Sequence, residues 1–228
     1  MLRLGATLAI LILSVVPCEA DIVHLEDNFD TGAEGWTIGD LFGPFFGAAP
    51  QYQPTGGVSD SGFIQTEDIR GYTAFRAPAG WMGDQSALYG RTLRFSLQAQ
   101  TADPQLAPLV VLSNPMVSIQ YRATPPGTSW TPYELVFAPG NWEVADGSGL
   151  AGPPATEDDI RLVLQNLTYL AINADWYAGP DLVGLDEVTI VTETGDNGSG
   201  DDVPEPAHLS LVSGFGAIAF ILYRRKRN

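Results

Sequence analysis

Residues 93–98 read Leu-Arg-Phe-Ser-Leu-Gln, so that apolar and polar side chains alternate strictly. This period of two is typical of a β-strand that buries one face and leaves the other in solvent. The same alternation recurs in residues 117–122, and in residues 133–137 except that Val136 is apolar. Glycine- and proline-rich turn signals separate these runs from further candidate strands, which cover residues 72–76, 109–112, 170–174 and 185–191.

One helix is expected among the strands. Thr156 can cap its first turn, and Asp159 follows three residues later, which is the pattern of a capping box. Apolar residues then recur on one helical face, at Ile160, Val163, Leu164 and Leu167. Many short antiparallel strands with a single short helix predict an all-β fold, an antiparallel β-sandwich or jelly roll.

The charge and the cysteine content exclude several classes of function. The chain has 228 residues with 27 acidic against 11 basic side chains, which gives a net charge of −16. Nucleic-acid binding is not expected, because a phosphate backbone needs a basic face. A single Cys rules out an intrachain disulfide and a cysteine-based zinc site, and two His argue against a multi-histidine metal site.

The N-terminus is typical of a secretory signal peptide over residues 1–20. Arg3 supplies a positive charge, residues 4–16 are apolar, and small residues place the cleavage site after Ala20. We therefore expect export through the Sec machinery. The alternative is a lipoprotein signal at Cys18, against which the preceding Pro17 argues.

The C-terminus has three successive segments. Residues 192–203 are acidic and glycine-rich, as in a flexible linker. Residues 207–223 are mostly apolar and predict a transmembrane helix, although their length is near the lower limit for a membrane span. The basic residues that begin at Arg224 and Arg225 are typical of a stop-transfer signal.

Residues 204–228 together closely resemble the PEP-CTERM sorting signal. The resemblance rests on Pro204, Glu205 and Pro206, on the short apolar segment, and on the terminal basic cluster. It implies an exosortase as a processing partner, an intermediate in the inner membrane of a Gram-negative bacterium, and delivery to the cell surface or extracellular matrix. An ordinary single-span anchor is the alternative.

The segment between the two ends, residues 21–191, carries a second set of motifs. They are Phe29-Asp30-Thr31-Gly32-Ala33-Glu34-Gly35-Trp36, Ala87-Leu88-Tyr89-Gly90, Trp130-Thr131-Pro132-Tyr133 and Gly184-Leu185-Asp186-Glu187-Val188. In this order they resemble the laminin B (laminin type IV A) domain, a family that commonly has Asn where this chain has Glu187. The resemblance implies a galactose-binding-like jelly roll, similar in fold to many carbohydrate-binding modules. It also implies an extracellular structural or adhesive module and supplies no catalytic residues.

Acidic residues at the two ends of this segment are candidate ligands for one structural Ca²⁺. In jelly rolls of this type the first and last strands are often neighbours, and hard oxygen ligands suit calcium. The predicted ligands are Asp30 and Asp186, with Glu26 and Asp27. The alternative is that these side chains are solvated or cap turns.

Aromatic residues next to turns are the candidate ligand-binding residues. Trp81, Trp142 and Trp176 can stack on sugar rings if they are exposed, and Phe45 and Phe46 lie in a glycine- and proline-rich loop where they can form an apolar surface. The alternative is that these side chains fold back over the ends of the sandwich. Burial of the three Trp would exclude sugar stacking by them. Four other aromatics are expected in the core, namely Trp36, Tyr89, Trp130 and Tyr133.

Catalysis is not expected. His24 is the only His outside the two terminal signals, and no predicted strand carries a spaced pair of carboxylates. Glu134 is the lone acid inside a clear strand and is expected to be solvated. The sequence predicts a non-catalytic surface or matrix protein that adheres to or structures extracellular polysaccharide. The alternatives are a structural matrix protein without a ligand site, and a polysaccharide-active glycosidase or lyase.

Overall fold

Antiparallel strands dominate the computed structural model, which describes residues 22–43, 47–68, 71–103 and 107–192. The first six are β1 (Ile22–Asp27), β2 (Thr37–Asp40), β3 (Gln51–Gln53), β4 (Phe63–Glu67), β5 (Thr73–Arg76) and β6 (Thr92–Ala99). The other six are β7 (Ala107–Ser113), β8 (Ser118–Ala123), β9 (Thr131–Val136), β10 (Trp142–Val144), β11 (Tyr169–Asn173) and β12 (Leu182–Thr192). One α-helix, α1 (Glu157–Gln165), precedes β11.

The strands form two six-stranded sheets. The first sheet has the order β3-β4-β12-β6-β9, and β1 pairs with the last part of β12. The second sheet has the order β10-β8-β7-β11-β5-β2. Every pairing is antiparallel. This arrangement confirms the predicted all-β sandwich with one short helix.

The core lies between the two sheets and follows the alternation seen in the sequence. On β6, Leu93 and Leu97 are fully buried, whereas Arg94 and Gln98 are half-buried on the opposite face. The second sheet contributes Leu112, Ile119, Leu170 and Ile172 to the same apolar cluster. Removal of this apolar surface from water is the main force that holds the two sheets together.

The outer face of the second sheet is also apolar in part, which explains why β7 has five consecutive buried residues. Val111 packs there in a small cluster with Ala74 and Ala171, and Leu41 and Phe42 cover it. The first residues of the loop over 41–47 are therefore packed against the sheet. Phe45 and Phe46, the predicted ligand-binding residues of this loop, lie outside the described residues.

Helix α1 begins as the sequence predicts. The Thr156 hydroxyl accepts a hydrogen bond from the Asp159 backbone N–H, and the Asp159 carboxylate accepts one from the Thr156 backbone N–H. This reciprocal capping box satisfies two groups that a helix end otherwise leaves unpaired. The apolar face of the helix is buried through Ile160, Val163 and Leu164.

The predicted signal peptide over residues 1–20 and the predicted sorting signal over residues 204–228 lie outside the described residues. The predicted linker over residues 192–203 lies outside them too, except for residue 192. Within the ranges that the structure does describe, no helix is both long enough and apolar enough to span a bilayer. The predicted span 207–223 is not among those ranges.

Candidate functional site

The outer face of the first sheet carries polar side chains in rows that cross the strands. The strand register places Gln51 of β3 opposite Gln65 of β4, and places Gly184 of β12 opposite both Gln65 and Gln98 of β6. Trp130 directly precedes β9 beside Gln98. We call these five residues the amide row. Since neighbouring strands lie about 4.8 Å apart, the row is roughly 19 Å long.

Trp130 lies over Gly184 at the centre of this row. A Cβ atom on Gly184 would be 3.0 Å from Cη2 of the Trp130 ring, so the absence of a side chain on Gly184 gives the ring its place. The indole N–H donates to the Gly56 carbonyl at 3.0 Å, and the ring meets Phe63 edge-on with 5.2 Å between centroids. The expectation that Trp130 lies in the core is therefore wrong: it is half-buried on the open sheet face.

The amides beside Trp130 border a shallow cleft of about 260 Å³. Nε2 of Gln65 donates to Oε1 of Gln51 at 2.6 Å, which orients both side chains along the row. Gln98 and Gln100 line the same cleft with Thr128. An amide side chain offers both donors and an acceptor, so this surface can pair with ligand hydroxyl groups in either sense.

A β-bulge on β12 separates the amide row from the other end of the sheet face. Asp186 pairs with Ser96 and Thr189 pairs with Arg94, so two residues of β12, Glu187 and Val188, oppose a single residue of β6. Glu187 has a positive φ of 51°, in the left-handed region that non-glycine residues rarely adopt. The bulge buries Val188 in the core and leaves Glu187 exposed on the cleft side.

A second and larger cleft, about 450 Å³ in volume, lies at this end of the face. We call it the acidic cleft, because its lining includes the four acidic residues Glu26, Asp30, Glu134 and Glu187. Arg94 is the one basic residue among the lining residues, and its Nε lies 3.1 Å from a carboxylate oxygen of Glu134. Apolar and weakly polar parts of the wall are supplied by Phe95, Ser96, Pro132 and Tyr133.

Burial raises the pKa of three groups in or beside the acidic cleft, namely Glu187, Asp186 and Tyr133. Burial raises the pKa of Glu187, and the neighbouring Asp186 carboxylate raises it further. Burial also raises the pKa of Asp186 itself, against the lowering effect of its hydrogen-bond donors. The pKa of Tyr133 rises to about 12 because its phenol is buried, and its hydroxyl donates to the Thr124 carbonyl at 2.9 Å.

The predicted calcium ligand Asp186 acts as a hydrogen-bond acceptor that anchors a loop. It is fully buried, and its Oδ2 accepts from the Val58 backbone N–H at 2.7 Å and from the Ser61 hydroxyl at 2.8 Å. Its Oδ1 accepts from the Glu187 backbone N–H at 2.7 Å. These donors satisfy both carboxylate oxygens and fix the loop between β3 and β4 to the bulge.

The predicted ligand Asp27 has a similar structural role. Its Oδ2 accepts the indole N–H of Trp36 at 2.8 Å and that of Trp81 at 2.6 Å. Glu26 and Asp30 are exposed at the rim of the acidic cleft. Among the residues that the structure describes, no three His, Cys, Asp or Glu side chains are grouped so as to hold a metal ion. The four predicted ligands therefore do not form a carboxylate cage, and calcium binding stays a prediction of the sequence.

The three Trp predicted to stack on sugars are buried, so that prediction is wrong for all of them. Trp81, Trp142 and Trp176 are 3%, 1% and 4% exposed. Each ring enters the core while its N–H reaches an acceptor: Asp27 for Trp81, the Val136 carbonyl for Trp142, and the Asn173 carbonyl for Trp176. A Trp beside a turn is compatible with full burial when such an acceptor is within reach.

Only part of the open face is predictable from sequence patterns. Arg94 and Gln98 were recognised as the polar side of a half-buried strand, and Glu134 as a solvated position. The alternation does not say which polar positions adjoin across strands, because the register between β4, β12 and β6 is set by contacts distant in sequence. Gly184, directly before the predicted strand over residues 185–191, is the one local signal, since a glycine within a strand often marks a close approach and β12 in fact begins at Leu182.

Comparison with known proteins identifies relatives of this chain. A family model described as Laminin B (Domain IV) matches residues 74–208. Laminin subunit gamma-1 of Xenopus tropicalis is 27% identical over 199 residues, and the match covers 85% of this chain and 12% of that protein. The basement membrane-specific heparan sulfate proteoglycan core protein of Mus musculus is 26% identical over 121 residues, or 51% of this chain and 3% of that protein.

The chain thus spans a small part of the length of these two relatives. Among solved structures, the L4b domain of human laminin alpha-2 superposes with a TM-score of 0.57 at 13% sequence identity. The superposition covers 76% of this chain and the whole of that domain. At this identity the likeness concerns the fold alone, and it agrees with the two-sheet sandwich described above.

Proposed function

The chain belongs to the laminin B (domain IV) family, and from this premise we propose that it is a non-catalytic, exported domain that binds an extracellular polysaccharide. The open face of the first sheet is the proposed binding surface. The observation that carries the proposal is the amide row, in which the register brings Gln65 and Gln98 to the two sides of Gly184, beside the Trp130 ring.

The chemistry of this row suits a sugar chain. Sugar rings present hydroxyl groups that both donate and accept hydrogen bonds, and Gln side chains can do the same. The Trp130 ring adds an apolar surface against which the C–H face of a sugar can pack. A row of roughly 19 Å gives room for several consecutive sugar units, so the interior of a chain can bind as well as its end.

The experiment is a titration of the full-length chain with a panel of soluble neutral oligosaccharides, followed by calorimetry. We expect saturable binding by at least one of them, and a loss of about tenfold or more in affinity for the double variant Gln65→Ala/Gln98→Ala. Two hydrogen bonds of about 1 kcal/mol each are enough for that loss. The variant removes no core side chain, since both residues are only half-buried.

Gln165→Ala is the matched control. Gln165 is an exposed amide at the end of α1, and it lines neither cleft. Its removal is expected to leave binding unchanged. No saturable binding of any glycan on the panel, or equal affinities of the double variant and the wild type, would overturn the proposal. The first result favours the alternative of a structural matrix protein without a ligand site.

One observation favours a catalytic alternative strongly enough to test it. Glu187, whose pKa is raised, shares the acidic cleft with Glu134, and a pair of carboxyl groups in a cleft is what glycoside hydrolysis requires. Chromatography of the oligosaccharides after long incubation with the chain separates the two functions. Recovery of the intact oligosaccharides supports a binding domain, whereas shortened products that depend on Glu134 and Glu187 would contradict it.

Export and processing are proposed on the sequence of the two ends. A signal peptide over residues 1–20 and the PEP-CTERM-like segment 204–228 support cleavage after Ala20 and recognition by an exosortase. Intact-mass spectrometry of the protein recovered from the surface of a bacterium that has an exosortase tests both. A mature N-terminus at residue 21 and loss of the basic cluster are expected, and a retained C-terminal segment would instead support a simple anchor.

A further inference from the structure

Resting on the proposed function, we infer that the acidic cleft binds the ammonium group of an amino sugar, so that the preferred ligand is a polysaccharide with free amino groups. The acidic cleft lies next to the amide row on the same sheet face. Arg94, Ser96 and Gln98 alternate along β6, so all three face the same side. Four residues of strand correspond to about 13 Å between Arg94 and Gln98.

The charges around the acidic cleft favour a positively charged ligand. Glu26, Asp30, Glu134 and Glu187 surround it, and the Arg94 guanidinium lies against Glu134 rather than alone in the cleft. Three acidic side chains are thus in excess, within a chain whose net charge is −16. Uronic-acid and sulfated polymers are repelled by such a surface, whereas a polymer with ammonium groups is attracted to it.

The hydroxyl of a largely buried residue opens into the cleft, so the cleft is more than a patch of solvated acids. Ser96 is only 6% exposed and lines the cleft, yet its side chain forms no hydrogen bond with the described residues. Most hydroxyls of residues buried to this extent are paired within the protein, whereas this one is available to a group that enters the cleft. An ammonium group has three N–H donors, and here it meets one hydroxyl and several carboxylates as acceptors.

The bulge on β12 places the Glu187 carboxylate on the side of the acidic cleft. Glu187 has a φ of 51°, a conformation in which Asn is better tolerated than Glu. The geometry of the bulge leaves Glu187 exposed on the cleft side while Asp186 below it stays buried. Glu187→Asn therefore removes one charge from the cleft at a position whose backbone accepts the new residue.

The test uses two ligands that share one backbone and differ in charge. They are a hexamer of β-1,4-linked glucosamine and the same hexamer with every amino group acetylated. We expect the full-length chain to bind the free-amine hexamer about tenfold or more tightly at low ionic strength. The preference is expected to shrink severalfold in 0.5 M salt, because screening weakens attraction between exposed charges.

Charge variants locate the interaction. Glu187→Asn is expected to lower the affinity for the free-amine hexamer by roughly three- to fivefold, the range for one partly exposed ion pair. The affinity for the acetylated hexamer is expected to change little. Asp158→Asn is the matched control: it removes one charge from the first turn of α1, outside the cleft, and is expected to leave both affinities unchanged.

The outcomes distinguish this inference from the proposed function. If the acetylated hexamer or other neutral glycans bind at the amide row as tightly as the free-amine hexamer, the inference fails and the proposed function stands. If no glycan binds at all, both fail. If hexalysine binds as tightly as the free-amine hexamer and is equally weakened by Glu187→Asn, the cleft is a general cation-binding surface, and the inference is again overturned.

Discussion

Trp130 owes its position to Gly184, because a side chain on Gly184 would occupy the space that the indole ring fills. The added Cβ would lie 3.0 Å from Cη2 of the ring. Gly184 lies on β12 and Trp130 directly precedes β9, and the two are brought together by the pairing of both strands with β6. An aromatic ring on an otherwise polar sheet face thus depends on a glycine 54 positions away in the sequence.

Gly184→Ala is expected to displace Trp130 and to weaken polysaccharide binding. The new methyl group would also lie 3.2 Å from Cγ of Gln98 and 3.3 Å from Cδ2 of Phe63, so several groups must move. Overpacking of this kind costs about 1–3 kcal/mol of unfolding free energy. Urea unfolding measures the loss of stability, tryptophan fluorescence reports the displacement of Trp130, and calorimetric titration measures the loss of binding. Gly80→Ala is the control, since a Cβ there meets no atom within 4 Å, and equal behaviour of the two variants would contradict the prediction.

Asp27→Ala is expected to destabilise the fold by about 3 kcal/mol. Two indole N–H groups, from Trp36 and Trp81, lose their common acceptor, and an unpaired buried donor costs roughly 1–3 kcal/mol. Asp27→Asn keeps an oxygen at the same place and should cost clearly less. Chemical unfolding measures both, with Asp30→Asn as a control at an exposed neighbour. A loss for Asp27→Ala no larger than that for Asp30→Asn would show that the shared acceptor does not stabilise the fold.

The sequence predicted the layers of this fold well because they depend on local patterns. The alternation at residues 93–98 became β6 with Leu93 and Leu97 inside, and the capping box at Thr156 and Asp159 began α1. The hydrophobic period and the helix cap are properties of a few adjacent residues, so both can be recognised in the sequence without knowledge of the tertiary structure.

The candidate site was much harder to predict, because it is made by pairings across strands. Trp81 and Trp142 have turn-side positions that suit ligand stacking, yet both are buried. The acceptor of Trp81 is Asp27, 54 residues away, and that of Trp142 is the Val136 carbonyl, on a strand of the other sheet. Trp130 was expected in the core and lies on the open face. Whether a tryptophan beside a turn points inward depends on an acceptor for its N–H inside the fold, and the sequence pattern does not show which group that is, even when it is a nearby backbone carbonyl.

Calcium removal is expected to leave the thermal stability of the chain unchanged. The carboxylates of Asp27 and Asp186, which the sequence offered as ligands, already accept N–H and O–H groups of the protein. A satisfied buried carboxylate gains little from an ion that must displace those donors. Calorimetric scans in calcium and in chelator provide the measurement. A melting temperature several degrees higher in calcium would contradict this expectation and support the calcium site predicted from the sequence.

Asp181 is expected to make the stability of the fold depend on pH in the mildly acidic range. The side chain is 4% exposed, its Oδ2 accepts from the Trp176 backbone N–H at 3.2 Å, and its Oδ1 is buried without a hydrogen-bond partner among the described residues. Burial raises its pKa from 3.8 to about 6, and the charges of Asp175 and Asp68 add to the rise. The neutral, protonated form is therefore the one that the folded state favours.

The sign of the pH dependence follows from this raised pKa. Between pH 4 and pH 6 the folded chain holds a proton that the unfolded chain has released, so the unfolding free energy falls as the pH rises through this window. The unfolding free energy lost across this window is about 3 kcal/mol for a shift of this size. Asp181→Asn cannot ionise, and urea unfolding at a series of pH values is expected to show a much flatter profile for it. Asp158→Asn, at an exposed position, should keep the slope of the wild type, and an equal slope in Asp181→Asn would mean that ionisation of Asp181 does not destabilise the fold.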